Sequence, residues 1–201
     1  MTDYENELKL YRECLYEIKR RVEVIDDHIK GITTESYIII EVETLCLQFR
    51  KILENIALLS LVANKDLYAE NNRKFSRHYH AKRIIRELER INPDFYPVPT
   101  KRIINENGMY EWINIDNGYL TKEDFVNIYE ICGGMLHAKN PFSSEKPVRE
   151  IQKSFLDWLM KITILLNEHH IKLVGGDVLF VGQMAVKGSE FPSAYIFELV
   201  N

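Results

Sequence analysis

Residues 37–64 read YIIIEVETLCLQFRKILENIALLSLVAN. The stretch holds neither glycine nor proline and is apolar on most faces, which predicts one long helix in the most buried position of the molecule. The polar Thr33-Thr34-Glu35-Ser36 before it is cap-like. Its polar residues Glu41, Glu43, Gln48, Arg50, Glu54 and Asn55 cannot all face outward if the surrounding Ile, Leu and Val are to be covered. Burying them unpartnered would cost several kcal/mol each. They are expected either to pair inside the core or to line a cleft.

Outward from this helix, Tyr4, Leu8, Tyr11, Leu15, Ile18, Val22, Ile25 and Ile29 alternate spacings of four and three, the seam of a long amphipathic helix that Gly31 stops. Such a seam packs within the chain or against a second copy. A third helix is predicted over Tyr79 to Ile91, and the prolines at 93, 97 and 99 make the next segment extended. Two alternating runs around Asn107-Gly108 suggest a hairpin near residues 102–113. Thr121-Lys122-Glu123-Asp124 has the spacing of a helix cap, opening a fourth helix that ends before Asn140-Pro141. A fifth helix is read from Glu150 to His169, with His169-His170 placed at its C-terminal end near the helix dipole. From Ile171 the period changes, and Lys172–Val174, Val178–Val181 and Tyr195–Val200 read as strands. The fold class expected is therefore mainly α, a helical bundle over residues 1–170 with a small antiparallel β appendage over residues 171–201.

Composition bounds the function. The chain has 201 residues, 46% of them hydrophobic and 28% charged, which excludes general disorder. Only 9 glycines and 6 prolines disfavour low-complexity and turn-rich all-β designs. The net charge of −4 gives no global attraction to nucleic acid, so any basic footprint must be local. Cys14, Cys46 and Cys132 lie far apart and form no paired framework. An acidic N-terminus without an apolar signal core, and no apolar run of membrane-spanning length, lead us to expect a cytoplasmic chain with no membrane partner.

Three features could carry chemistry. Gly133 and Gly134 sit inside the fourth predicted helix at a cost of about 1 kcal/mol each relative to alanine, which close approach of another helix would explain. His137 projects from the Gly133 stripe, and Asn140 follows three residues later. On the central helix Glu43, Leu47, Arg50 and Glu54 share one face. If the glycine stripe packs there, Arg50 approaches His137, pairing a group that moves protons near neutral pH with one that stabilises charge developing on phosphorus. The third feature is a stripe of seven basic residues, Arg73, Lys74, Arg77, Lys82, Arg83, Arg86 and Arg90, against Glu87 and Glu89. With Tyr79, His78 and His80 interleaved, it suits contacts to an RNA backbone; a solvated helix face explains the same residues without any ligand. His78-x-His80 lacks a third ligand and Cys132 with His137 has no zinc spacing, so no metal is expected. No phosphate-binding glycine loop or dinucleotide fingerprint calls for a cofactor.

A long helix, a buried helix carrying Phe49-Arg50-Lys51-Ile52-Leu53-Glu54 and a later helix ending Leu136-His137-Ala138-Lys139-Asn140-Pro141 together resemble helical proteins of bacteria and, more distantly, the HEPN superfamily, over roughly residues 1–170. HEPN proteins are helical bundles, frequently dimeric, many of them metal-independent ribonucleases of toxin, antiphage or CRISPR-associated systems. Their motif places an Arg, a polar residue and a His on one helix. Cys132 and Gly133 stand where that arginine would be, so the resemblance would assign its role to Arg50. It implies a homodimeric ribonuclease or nuclease-like defence protein, with His137 as acid/base, Arg50 as phosphate stabiliser, Glu54 and Asn140 as orienting groups and residues 73–90 as the RNA contact. The contrasting expectation is a non-catalytic module that binds a protein partner, as a dimerisation unit or adaptor, in which the polar core residues only specify packing.

Overall fold

Helix α1 (Glu5–Gly31) and helix α2 (Ile38–Ala63) form an antiparallel pair, tied at one end by the Lys65–Glu7 ion pair and further along by a 2.7 Å bond from Arg21 Nη1 to Gln48 Oε1. The α1 seam is used inside the chain: Tyr11, Leu15, Ile18 and Ile25 are fully buried, and Tyr4, Leu8, Val22 and Ile29 pack against the same core. The structure, a computed structural model, describes residues 4–31, 37–65, 81–138, 142, 144–173 and 178–198. Helix α2 is central, burying Val42, Leu45, Cys46, Phe49, Ile52, Leu53, Ile56, Ala57 and Leu59. Around it lie α3 (Ala81–Ile91), α4 (Lys122–Leu136) and α5 (Val148–Asn167). Phe49 joins α2 to α5, stacking on Phe155 at 5.4 Å and meeting Trp158 edge-on. Thr121 opens α4 as its spacing predicts, exchanging hydrogen bonds with Asp124 in a capping box.

Five strands, β1 (Val98–Ile104), β2 (Tyr110–Asn114), β3 (Glu168–Lys172), β4 (Val178–Gln183) and β5 (Ser193–Glu198), form one antiparallel sheet in the order β2-β1-β3-β4-β5. The molecule is thus mainly helical with a small antiparallel sheet. The β1–β2 hairpin turns at Gly108, whose φ of 76° suits glycine. Because β1 pairs with β3, the sheet is continuous across the 1–170 and 171–201 division expected from sequence.

One expectation is corrected. Helix α5 ends at Asn167, and Glu168 is already extended, so His169 and His170 lie on β3 rather than at a helix end. The ladder explains this. The Asn167 carbonyl accepts from the Met184 N–H at 2.9 Å, and β3 pairs with β4 from Glu168 onward. Strand geometry then buries His169 and Ile171 on the inner face, which a further turn of helix would not do.

Candidate functional site

The glycine stripe does approach the Arg50 face. A Cβ on Gly133 would lie 2.8 Å from Arg50 Nη1, whereas one on Gly134 would meet nothing within 4 Å. The absent side chain at Gly133 therefore admits the guanidinium between α2 and α4. There its carbon lies 4.1 Å from the Tyr129 ring centroid, Nη2 donates to the Tyr129 hydroxyl at 2.7 Å, and Nε is 3.4 Å from Glu54 Oε1. Glu54 also holds Lys51 at 2.8 Å. One turn away, the buried Cys132 thiol lies beside that of Cys46, and this neighbour together with burial pushes it far above the usual thiol range. The polar groups of α2 are mostly paired: Gln48 with Arg21, Asn55 with the Lys51 carbonyl at 2.9 Å, and Glu43 with Lys146 at 3.7 Å.

His137 caps α4 at its C-terminal end and is exposed. Lys146 closes that end, donating to the carbonyls of Met135 at 2.7 Å and His137 at 2.5 Å. The structure therefore brings Arg50 and Glu54 together, with His137 one turn beyond Gly133 on the side of Glu43. Asn140 lies outside the described residues, as do Arg73, Lys74, Arg77, His78, Tyr79 and His80.

Of the remaining basic stripe on α3, Lys82 pairs with Glu130 of α4 and Arg90 stands 3.6 Å from Glu87. Glu89 holds Lys122 at 2.6 Å. Arg83 and Arg86 are exposed. Among the described residues, no group of three or more His, Cys, Asp or Glu side chains could hold a metal ion, and no helix is long and apolar enough to cross a membrane.

The sheet adds a feature that the sequence reading missed. Its inner face is filled. His169 is fully buried, its Nδ1–H donating to the Leu166 carbonyl at 3.1 Å while Nε2 accepts from the Tyr11 hydroxyl at 2.7 Å. Burial lowers its pKa to about 4, so it is neutral, and burial likewise raises the Tyr11 phenol, so it keeps its proton. Gly182 of β4 makes room for the ring, because a Cβ there would lie 2.5 Å from His169 Cε1.

The outer face is concave. Trp112 sits on edge strand β2 opposite Arg102, and Phe197 on edge strand β5 opposite Leu179. In a flat sheet, four steps of about 4.8 Å would hold these edges about 19 Å apart. Their ring centroids are 6.0 Å apart. The two rings therefore lean inward over the face from opposite edges. Beneath them a recess of about 190 Å³ is lined by Thr100, Trp112, His170, Leu179, Val181 and Phe197. Trp112 is anchored, its Nε1–H donating to Glu168 Oε1 at 2.7 Å. The same oxygen takes Gln183 Nε2 at 2.9 Å and Arg102 Nε at 3.2 Å. The signal available in the sequence was β5 itself: Ala-Tyr-Ile-Phe at 194–197 is apolar on both parities, unlike a strand with one solvated face.

Comparison with family models, curated proteins and solved structures finds no match to this chain.

Proposed function

We propose that this chain is a non-catalytic binding module, in which the helices form a rigid frame and the open face of the sheet meets the ligand. One observation carries the reading: the Arg50 guanidinium is taken up by the α2–α4 contact. Its face lies on the Tyr129 ring, Nη2 is bonded to the Tyr129 hydroxyl, Nε faces Glu54, and Nη1 fills the space left by Gly133. A guanidinium so engaged specifies helix packing, and presenting it to a phosphate would require breaking those contacts. The preformed recess on the sheet, with an anchored Trp112, supports the second half of the reading.

A second reading, a metal-independent ribonuclease, is favoured by the one-turn separation between Gly133, where Arg50 lies, and the exposed His137. One experiment separates the two. The chain is incubated with RNA in chelator beside His137→Ala and Arg50→Met variants. The module reading expects intact RNA in all three samples. Cleavage by the wild type that both substitutions abolish would overturn it in favour of the nuclease.

A further inference from the structure

The recess on the sheet has a defined chemistry. The Trp112 and Phe197 rings, tilted at 60°, form an aromatic pair at its rim, and Leu179 and Val181 are part of its lining. Its floor follows the diagonal of the sheet through Thr100 and His170, each of which projects to the outer face by the strand register. Thr100 is 5% exposed and Val181 9%, so the floor is largely dry while the rim rings remain half open. The carboxylate beside it, Glu168, is paired with Arg102 and accepts from Trp112 and Gln183. Burial, and then the Lys172 charge, hold the His170 imidazole below its ordinary range, leaving it neutral with one N–H donor and one lone pair. Among the described residues that ring has no hydrogen-bond partner.

Size, shape and polarity select the ligand. An apolar cavity of about 150 Å³ accommodates benzene, so about 190 Å³ admits one ring with a substituent, or a compact fused pair. The aromatic pair over the recess favours a flat ring that stacks on or meets one of its members edge-on. A neutral imidazole on the floor asks for a single hydrogen-bonding group; Glu168 and Arg102 balance each other, and Lys172, whose charge reaches His170, is not among the residues lining the recess. Trp112 and Phe197 converge over the recess, which suits a small molecule better than a bulky peptide segment.

We infer that this recess binds a neutral, phenol-like small molecule, its ring under the paired Trp112 and Phe197 rings and its polar group hydrogen-bonded to His170. The inference rests on the binding-module reading and names its ligand class. Phenol is the probe, with benzene and benzoate beside it. The full chain has two tryptophans, so the indole N–H signals of Trp112 and the core residue Trp158 report separately by NMR, with Trp112→Phe assigning them. Phenol at millimolar concentration is expected to move the Trp112 signal saturably and leave Trp158 in place. Val181→Phe, which fills the recess, should weaken binding about tenfold or more; Phe197→Ala, which removes one ring of the pair from an exposed edge position, should do the same if the first variant fails to fold. His170→Leu should reduce the preference for phenol over benzene to about unity. A linear shift without saturation, unchanged affinity in Val181→Phe or Phe197→Ala, or tighter binding of benzoate than of phenol would overturn the inference. Intact RNA combined with no phenol binding would remove this ligand class and leave the module reading standing.

Discussion

His169 and His170 are neighbours on one strand, and the fold treats them in opposite ways. The first faces the helices, is sealed from water and has both ring nitrogens bonded, to Leu166 and Tyr11. The second faces the concave side of the sheet and lines an open recess. Strand period alone separates them. The difference teaches that a histidine in this chain is a packing device where the sheet meets α1, and part of a recess lining one residue later. Arg50 is seated in a similar way, by a missing Cβ at Gly133 as Gly182 seats His169, although it is only partly buried.

The largest effect should come from closing the space that the inner histidine needs. In Gly182→Ala the new Cβ would lie 2.5 Å and 2.7 Å from His169 ring atoms and 3.1 Å from Tyr11. Both rings are fixed by their mutual bond, so neither can yield cheaply. We expect a loss of about 3 kcal/mol, read as a lowered urea midpoint. A near-neutral result would mean that the inner face is looser than its geometry.

The two histidines should next be distinguished by pH. His169 titrates near 4 in the folded chain and near 6.5 when unfolded. Between those values the unfolded chain binds a proton that the folded chain does not. The stability tied to this group is therefore complete above about pH 6.5 and falls as the pH drops toward 4. The full difference is worth about 3 kcal/mol. His170, also lowered, adds a loss of the same sign. Urea unfolding at a series of pH values should show this slope in the wild type, mostly removed in His169→Gln and mostly retained in His170→Gln. Equal slopes in the two variants would break the contrast between the faces.

The smallest effect carries the comparison to the helices. Gly134→Ala meets open space and should stabilise α4 by about 1 kcal/mol through helix propensity. Gly133→Ala gains the same propensity but displaces the Arg50 guanidinium, so its thermal midpoint should stay near or below that of the wild type. Adding Arg50→Ala should make the two glycine substitutions equivalent. A gain from Gly133→Ala as large as that from Gly134→Ala would show that the seat under Arg50 is not needed.

Much of the site was legible as residues but not as surroundings. The shared face of Glu43, Arg50 and Glu54 follows from helical spacing, whereas the approach of Gly133 to it was a condition that only the packing of α4 on α2 met. That the guanidinium would be absorbed by Tyr129 was hidden, because spacing along α4 does not show which helix its tyrosine meets. The ladder that ends α5 and starts β3 was hidden too: Asn167 and Met184 are remote in the chain, and their hydrogen bond exists only once β4 has folded back.

By itself the sequence determined the helices, the cap at Thr121, the turn at Gly108 and the buried place of α2, since each depends on periodicity or on the conformational limits of nearby residues. Only the tertiary structure decided which polar groups are sealed and which are open. The seat of Arg50, the bond between Tyr11 and His169, and the meeting of Trp112 with Phe197 each join residues from distant segments. Such contacts depend on how elements cross and how the sheet twists, which no local pattern encodes.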